Sequence, residues 1–375
     1  MKSPIDHRLG VLLLLGAAVL SVCFYNGCAD NTKIKCQHGI STPCIPTDKP
    51  FEHLSEYHFF EGTLSDLNPI GQLIPYDLST PLFSDYASKL RLLYVPKGSM
   101  IPYDESGALD FPPSSVLIKN FYYPLDKRDP APNRMIVETR LLMRNDDGWD
   151  AEVYVWNEEQ TEAFRKPTGD IKEVEWIDQN GKRRKVKYII PTKNDCKTCH
   201  FSYKELLPLG PKIRNLNKIY HYKDGDANQL ERWQQAGILT GRPTLSEMPK
   251  VAVWDDPSTG SIGERARIYL DVNCAHCHNS GGAANYSGLF LSLDEQDPLH
   301  LGMCKTPVAP GPGSGGFRFD IVPCKPEQSI MIFRLESVKP QERMPELGRT
   351  LIHKEGVELI KQWIKTLSCD SCKQN

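Results

Sequence analysis

The chain has 375 residues, of which 40% are hydrophobic and 25% are charged, and its formal net charge at pH 7 is −2. This length gives room for about two or three domains, and the composition is that of ordinary globular protein. The near-zero net charge lacks the basic excess typical of nucleic-acid binding, so no nucleic-acid partner is expected.

The first 28 residues predict an export signal. Lys2 and Arg8 precede the uncharged apolar run 11–22, which is shorter than the about 20 apolar residues that a membrane-spanning helix needs. Gly27-Cys28 resembles a lipoprotein processing site, where Cys28 would carry a lipid anchor; simple cleavage and retention as an anchor are the alternatives. The body is therefore expected outside the cytoplasm, in the periplasm or on the outer face of a membrane, where disulfides persist.

Residues 29–50 predict a linker, because they are polar and interrupted by three prolines. From 51 to 191 the pattern is one of short β-branched and aromatic runs between turns such as Asp147-Gly148 and Asn180-Gly181. This pattern predicts an antiparallel β-sandwich-like domain. The expected strands cover residues 90–95, 115–123, 134–144, 149–156, 174–177 and 186–190.

Two C-x-x-C-H sequences follow, at residues 196–200 and 274–278. Two thiols at this spacing can each form a thioether with a haem vinyl group, and the adjacent histidine can bind the iron. The sequence therefore predicts two haem c groups, held by the thioethers of Cys196, Cys199, Cys274 and Cys277 and by the axial ligands His200 and His278. A zinc or thiol site is the alternative, although each motif offers only three of the about four ligands that zinc takes.

Helical periodicity appears after Pro191, at residues 226–238, 262–276 and 353–367. The expected fold class is therefore α+β and multidomain. The N-terminal β-sandwich-like domain would be followed by mainly α-helical cytochrome c-type haem domains, with a first haem region at 192–260 and a C-terminal cytochrome c-like domain at 261–375.

The distal iron ligands are predicted from the remaining methionines and histidines. Met344 precedes Pro345 in a loop just before the last predicted helix, which favours it as the distal ligand of the second haem, with Met303 and Met331 as its competitors. For the first haem the preferred candidate is Met248, in a similar Met-Pro context, with His221 as the alternative. An open iron at the first haem, or its ligation by His53, His58 or Met100, is also compatible with the sequence.

The cysteines outside the motifs favour disulfides between near neighbours. The pairs Cys36–Cys44, Cys304–Cys324 and Cys369–Cys372 are the expected ones, although the sequence alone does not fix the connectivity.

Several longer segments carry a family resemblance. Residues 271–279, the loop 311–316 with 320–323, and the segment 343–349 resemble a family of uncharacterised bacterial dihaem c-type cytochromes, as do residues 156–161 and 210–217. The C-terminal part also resembles small cytochrome c domains. The resemblance covers most of the chain after about residue 60 and implies two haems in an exported protein, but it implies no substrate or catalytic residue.

The sequence therefore favours an electron carrier over an enzyme. Two ligated haems would pass electrons between redox partner proteins through weak, small contacts. One alternative is an enzyme resembling the dihaem peroxidases, with one open iron. A different possibility is a binding module whose β domain recognises a partner while the haems supply electrons to a linked enzyme.

Overall fold

The computed structural model describes residues 42–130, 133–308, 311–369 and 372. The predicted signal peptide, its Cys28, most of the linker and Cys36 lie outside the described residues. No helix in the described ranges is long and apolar enough to cross a membrane.

The β-rich part is built around one six-stranded antiparallel sheet with the strand order β3-β4-β6-β7-β8-β9. All the strands that were expected from the turn spacing are present. The strands up to residue 190 are β1 (Phe60–Glu61), β2 (Asn68–Pro69), β3 (Leu73–Tyr76), β4 (Ser88–Tyr94), β5 (Ile101–Pro102), β6 (Val116–Pro124), β7 (Arg134–Asn145), β8 (Gly148–Trp156), β9 (Ala163–Arg165), β10 (Asp170–Ile177) and β11 (Arg183–Ile190).

The two faces of this sheet are covered differently. On one face, side chains such as Ile118 and Tyr154 pack against the N-terminal segment that contains Tyr57. On the other face, Phe121 and other apolar side chains pack against the β10–β11 hairpin. The β part is thus a single sheet with a hairpin on one face, rather than the two comparable sheets of a sandwich.

The remaining part contains six short helices, among the described residues, and five more short strands. The helices are α1 (Lys193–His200), α2 (Ile213–Leu216), α3 (Gln229–Gln235), α4 (Ile262–Asn273), α5 (Ile330–Glu336) and α6 (Lys354–Thr366), and the strands are β12 (Phe201–Ser202), β13 (Glu205–Leu206), β14 (Ile219–Tyr222), β15 (Gly225–Asn228) and β16 (Leu239–Thr240). Single 3₁₀ turns occur at Leu54–Tyr57, Leu64–Asp66, Leu245–Glu247, Pro257–Thr259, Asn285–Ser287, Gly311–Ser314 and Pro326–Gln328.

The expected fold class was therefore wrong in an important respect. The three predicted helices are present, but the part that carries the two motifs is a mixture of short helices, hairpins and loops instead of mainly α-helical haem domains. The physical reason is that these helices are short, from four to thirteen residues, and are separated by hairpins and by loops rich in proline and glycine. The β-sheets are the dominant organising element of the fold.

One apolar cluster crosses the predicted domain boundary at residue 191. Leu93 and Leu117 of the sheet pack in the same buried cluster as Leu230 and Trp233 of α3. In addition, β16 pairs in parallel with β5, through Leu239 and Ile101. The segment that follows the first motif is thereby packed onto the sheet.

The C-terminal core forms where α4 and α6 cross, around Trp363 and Leu270. Gly356 makes the close approach possible, since a Cβ atom there would lie 2.3 Å from the Tyr269 hydroxyl oxygen. A larger residue at this position would displace the Tyr269 ring from its place between the two helices.

Two disulfides tie the chain end to this core, and their pairing differs from the expected one. The bonds join Cys304 to Cys372 and Cys324 to Cys369, so the predicted local pairs 304–324 and 369–372 were wrong. The physical reason is that the chain returns past α6 to the loops that precede α5, which brings distant cysteines together. Cys44 is also disulfide-bonded, but the expected partner Cys36 lies outside the described residues.

His353, which precedes α6, joins the C-terminal core to the β-rich part. Its ring stacks on Phe83 with centroids 4.2 Å apart, and its Nδ1 lies 2.9 Å from the Tyr269 hydroxyl oxygen. Burial lowers the pKa of His353 to about 4. The ring is therefore neutral in the folded protein at neutral pH.

This burial predicts an acid-sensitive contribution to stability. The unfolded chain binds a proton at His353 near pH 6.5, whereas the folded chain does so only near pH 4, so protons favour unfolding in this window. We expect the free energy of unfolding to fall by up to about 3 kcal/mol from this group between pH 6.5 and 4. His353→Gln should flatten the curve of unfolding free energy against pH, measured by denaturant titrations.

Candidate functional site

The first motif is placed by a short helix that begins directly after the sheet hairpin. Thr192 caps α1: its hydroxyl accepts from the Asp195 backbone N–H at 3.0 Å, and the Asp195 carboxylate accepts from the Thr192 N–H at 2.9 Å. Within α1, Cys196 and Cys199 are three residues apart and lie on one face, with His200 at the helix end. A capping box thus sets the position of both thiols relative to β11.

The second motif follows the end of α4. This helix also begins with a capping box, formed by Ser261 and Glu264, and it ends at Asn273. The chain continues in a tight turn, in which the His278 N–H donates to the Cys274 carbonyl oxygen at 2.9 Å. The Asn273 side chain accepts from the Phe83 N–H at 2.8 Å, which fixes this turn against the β-rich part.

The two motifs lie side by side. Ligand atoms of Cys199, His276 and Cys277 are all within 4.8 Å of one another. The hydroxyl oxygens of Tyr203 and Ser280 lie 2.6 Å apart and link the segments that follow each motif. No sequence pattern indicated this contact, because the motifs are separated by 78 positions (278 − 200).

Both motif histidines are buried and bonded to the backbone. The Nδ1 atom of His200 lies 2.8 Å from the Leu207 carbonyl oxygen, and the His278 ring bonds to the backbone of Leu289. A carbonyl oxygen only accepts, so Nδ1 of His200 carries the hydrogen and its Nε2 keeps a lone pair, whereas Nδ1 of His278 lies 3.4 Å from the Ser287 hydroxyl oxygen. This is the usual support for a metal-binding histidine. Burial lowers the pKa of both rings to about 4, which keeps them neutral and able to bind a metal.

A cavity of about 560 Å³ lies between the motifs and the sheet. Its wall includes Cys196, Cys199 and His200 of the first motif. The wall also includes apolar, basic and other side chains from the sheet and from the C-terminal part, among them Leu117, Lys119, Arg91, Arg140, Tyr269, His276, Leu335, Met344 and Arg349. His278 is not among the lining residues, so the second motif reaches this cavity through His276 and its neighbours.

These residues fit a covalently bound haem. The ring needs two thiols, a neutral imidazole and apolar walls, and its carboxylates need cations; the first motif and the adjoining sheet offer all four. At the second motif, Cys274 packs at the edge of the C-terminal apolar core, where burial raises the pKa of its thiol to about 12. The haem iron would supply one-electron redox chemistry at each position.

The Met344 loop is held by two residues that the sequence did not single out for this role. The buried Arg349 guanidinium donates to the Met344 carbonyl oxygen at 2.7 Å and also to the carbonyls of Leu335 and Ser337. Asp85, in the loop between β3 and β4, accepts from the N–H groups of Thr350 and Leu351. The place of Arg349 in the segment 343–349, which carries the family resemblance, could have indicated this residue. Nothing in the sequence indicated Asp85.

Met344 lines the cavity whose wall includes His200 of the first motif, and not His278 of the second motif, for which Met344 was predicted as the distal ligand. Its two competitors do not line this cavity: Met331 is buried in the C-terminal apolar cluster and Met303 packs against it. The five candidates proposed for the first haem also lie elsewhere. Met248 is 4% exposed and packs with Trp233, which favours a packing role over ligation. His221 is exposed and bonds to Asp226 at 2.6 Å, and His53, His58 and Met100 are exposed as well.

Comparisons with protein-family models, with curated proteins and with solved structures found no match. The site is therefore defined by its own geometry, namely two C-x-x-C-H motifs brought together beside a cavity.

Proposed function

We propose that the chain is an exported dihaem c-type cytochrome that carries electrons between redox partner proteins. The observation that carries this proposal is the contact of the two motifs, each with a buried, neutral histidine ring, together with the bond from Nδ1 of His200 to the Leu207 carbonyl oxygen. Haem attachment gives one role to all six motif residues, Cys196, Cys199, His200, Cys274, Cys277 and His278.

A metal ion shared by Cys199, His276 and Cys277 is the competing use of the same residues. Two thiols and an imidazole whose Nδ1 is buried without a partner form a suitable donor set for zinc. This alternative leaves Cys196, Cys274 and both anchored histidines without a function. Haem is therefore the better explanation of the site.

The placement of the motifs supports transfer between the two haems. The sulfur of Cys199 lies beside that of Cys277, so haems bonded to them would be near neighbours. An electron received at one haem could then leave from the other. The β-sheet would either hold the two haems away from the membrane or dock a redox partner protein. Redox partners of this kind use small, transient contacts.

Export is part of the proposal. The disulfides Cys304–Cys372 and Cys324–Cys369 are consistent with an oxidising compartment. The periplasm or the outer face of a membrane fits this, and a lipid on Cys28 would provide the anchor.

The first test is the content and ligation of haem in protein made in a host that attaches haem c. We expect two haems and no zinc per chain, by alkaline pyridine spectra and metal analysis. If both irons are fully ligated, carbon monoxide will leave the reduced spectrum unchanged. Zinc in place of haem would contradict the proposal.

An enzyme with one open iron is the second candidate. Its supporting observation is that none of the distal ligands predicted for the first haem lines the cavity. A spectral change in about half of the haem on adding carbon monoxide would favour it, and peroxide turnover by the same sample would establish it. Absence of both would leave the electron carrier.

A further inference from the structure

Three cationic side chains stand in a row on the sheet face that bounds the cavity. Arg91 of β4 is paired in register with Lys119 of β6, and Lys119 is paired with Arg140 of β7. All three line the cavity. Adjacent strands lie about 4.8 Å apart, so the row extends over roughly 10 Å. We refer to these three residues as the cationic row.

The row holds three basic side chains against two carboxylates, and burial together with the neighbouring cations lowers the pKa of Lys119 well below its usual value. Arg140 binds Glu138 through two hydrogen bonds of 2.6 and 2.8 Å, and Arg91 pairs with Asp77. Within the described ranges, the Lys119 ammonium has no hydrogen bond or ion pair and lies 4.9 Å from the centre of the Phe121 ring. A further cation, Lys89, is also close by and donates to the Leu82 carbonyl oxygen.

Arg91 gives a second, independent indication of a ligand. Its side chain is only 4% exposed, and its Nη2 atom is buried with no hydrogen-bond partner. A buried N–H group without an acceptor is costly, and such groups are rare in folded proteins. An acceptor oxygen in the cavity would remove this cost at Arg91 and would neutralise Lys119.

The cationic row also extends across the sheet away from the thiols of the first motif. Helix α1 contacts β8, and Arg140 is close enough to influence the pKa of the Cys196 thiol. From there the row runs across the sheet to Arg91, away from the thiols. A haem c is bonded at its vinyl edge and carries its two propionates on another edge, so a haem bound here would have its carboxylates away from the cysteines, where the row could hold them.

We infer that Arg91, Lys119 and Arg140 form the carboxylate-binding wall of the first haem site and hold its propionates. The inference rests on the proposed function and extends it, since it assigns the sheet a direct role in binding the cofactor. Lys119 neutralises one carboxylate, and the free Nη2 of Arg91 donates to a carboxylate oxygen.

The test compares Lys119→Met, Lys119→Arg and the matched control Lys187→Met, which removes an exposed lysine from β11. Each protein is made with its haem attached. The readouts are the haem count, the propionate bending band in resonance Raman spectra and the midpoint potential of each haem. Arg91→Gln provides a second change in the same row.

We expect every variant to keep two haems. In Lys119→Met the propionate band should shift, and the ferric form of the first haem should be favoured about tenfold, which is roughly 59 mV for a one-electron couple, because a nearby positive charge is lost. Lys119→Arg should restore both values, Arg91→Gln should shift the band, and Lys187→Met should change neither.

Three results would overturn the inference. An unchanged propionate band in Lys119→Met and Arg91→Gln would show that the row does not hold the carboxylates. Loss of an axial ligand in both Lys119 variants would make the amine an iron ligand instead. A band and potential that respond to added inorganic phosphate in the unsubstituted protein would assign the row to an external anion. Absence of haem in the unsubstituted protein would refute the proposed function itself.

Discussion

Replacing Cys274 and Cys277 with alanine is expected to remove one of two haems from each chain, and replacing Cys196 and Cys199 should do the same. Each pair supplies the two thioethers of one haem, so the losses should be separate. The haem absorbance of the reduced protein should fall by about half in either double variant. Intact mass would show the loss of one haem mass per chain.

The disulfide variant Cys304→Ser with Cys372→Ser is the matched control, because it removes two cysteines outside the motifs. It should keep both haems. The proposal would not survive if either motif variant retained two haems, or if the control lost one. Loss of the second haem should lower the thermal stability more, since Cys274 contacts the C-terminal core.

Replacing Met344 with alanine is expected to change the second haem without removing it. The thioether sulfur would be lost as a ligand, and His/Met ligation is associated with a high reduction potential. We expect the potential to fall by on the order of 0.1–0.3 V, within the roughly 0.8 V range that axial ligands set. The methionine-to-iron absorption band should disappear, and the reduced iron should bind carbon monoxide.

Met331→Leu is the control for this prediction. Met331 lies in the C-terminal apolar cluster and does not line the cavity, and leucine has a similar volume. Its spectrum and potential should match those of the unsubstituted protein. A Met344→Ala variant with an unchanged spectrum would exclude Met344 as a ligand.

Local sequence patterns predicted local structure well. The turns at Asp147-Gly148 and Asn180-Gly181 located two strand pairs, and helical periodicity located α4 and α6. These elements depend on residues that are near in sequence. The mainly α-helical class predicted for residues 192–375 was wrong. The number of predicted helices does not reveal how short each helix is, or how much chain lies between the helices.

Most of the support around the site could not be predicted, since it depends on contacts between distant segments. Asp85 meets Thr350 across 265 positions, and the cationic row exists only because β4, β6 and β7 pair in one register. Met248 and Met344 both precede a proline, yet one is packed in the core and the other lines the cavity. The surroundings that distinguish them are formed by the fold.

The contact between Cys199 and Cys277 has a consequence for how the protein is assembled. Their thiols are close enough to hydrogen-bond, which raises the pKa of Cys199 and lowers that of Cys277. In a compartment that oxidises Cys304 with Cys372, the same chemistry could join these two thiols and take one from each motif. If the chain is a dihaem protein, its maturation would need at least one haem to be attached before the two segments meet, or a reductant that keeps both thiols reduced until then.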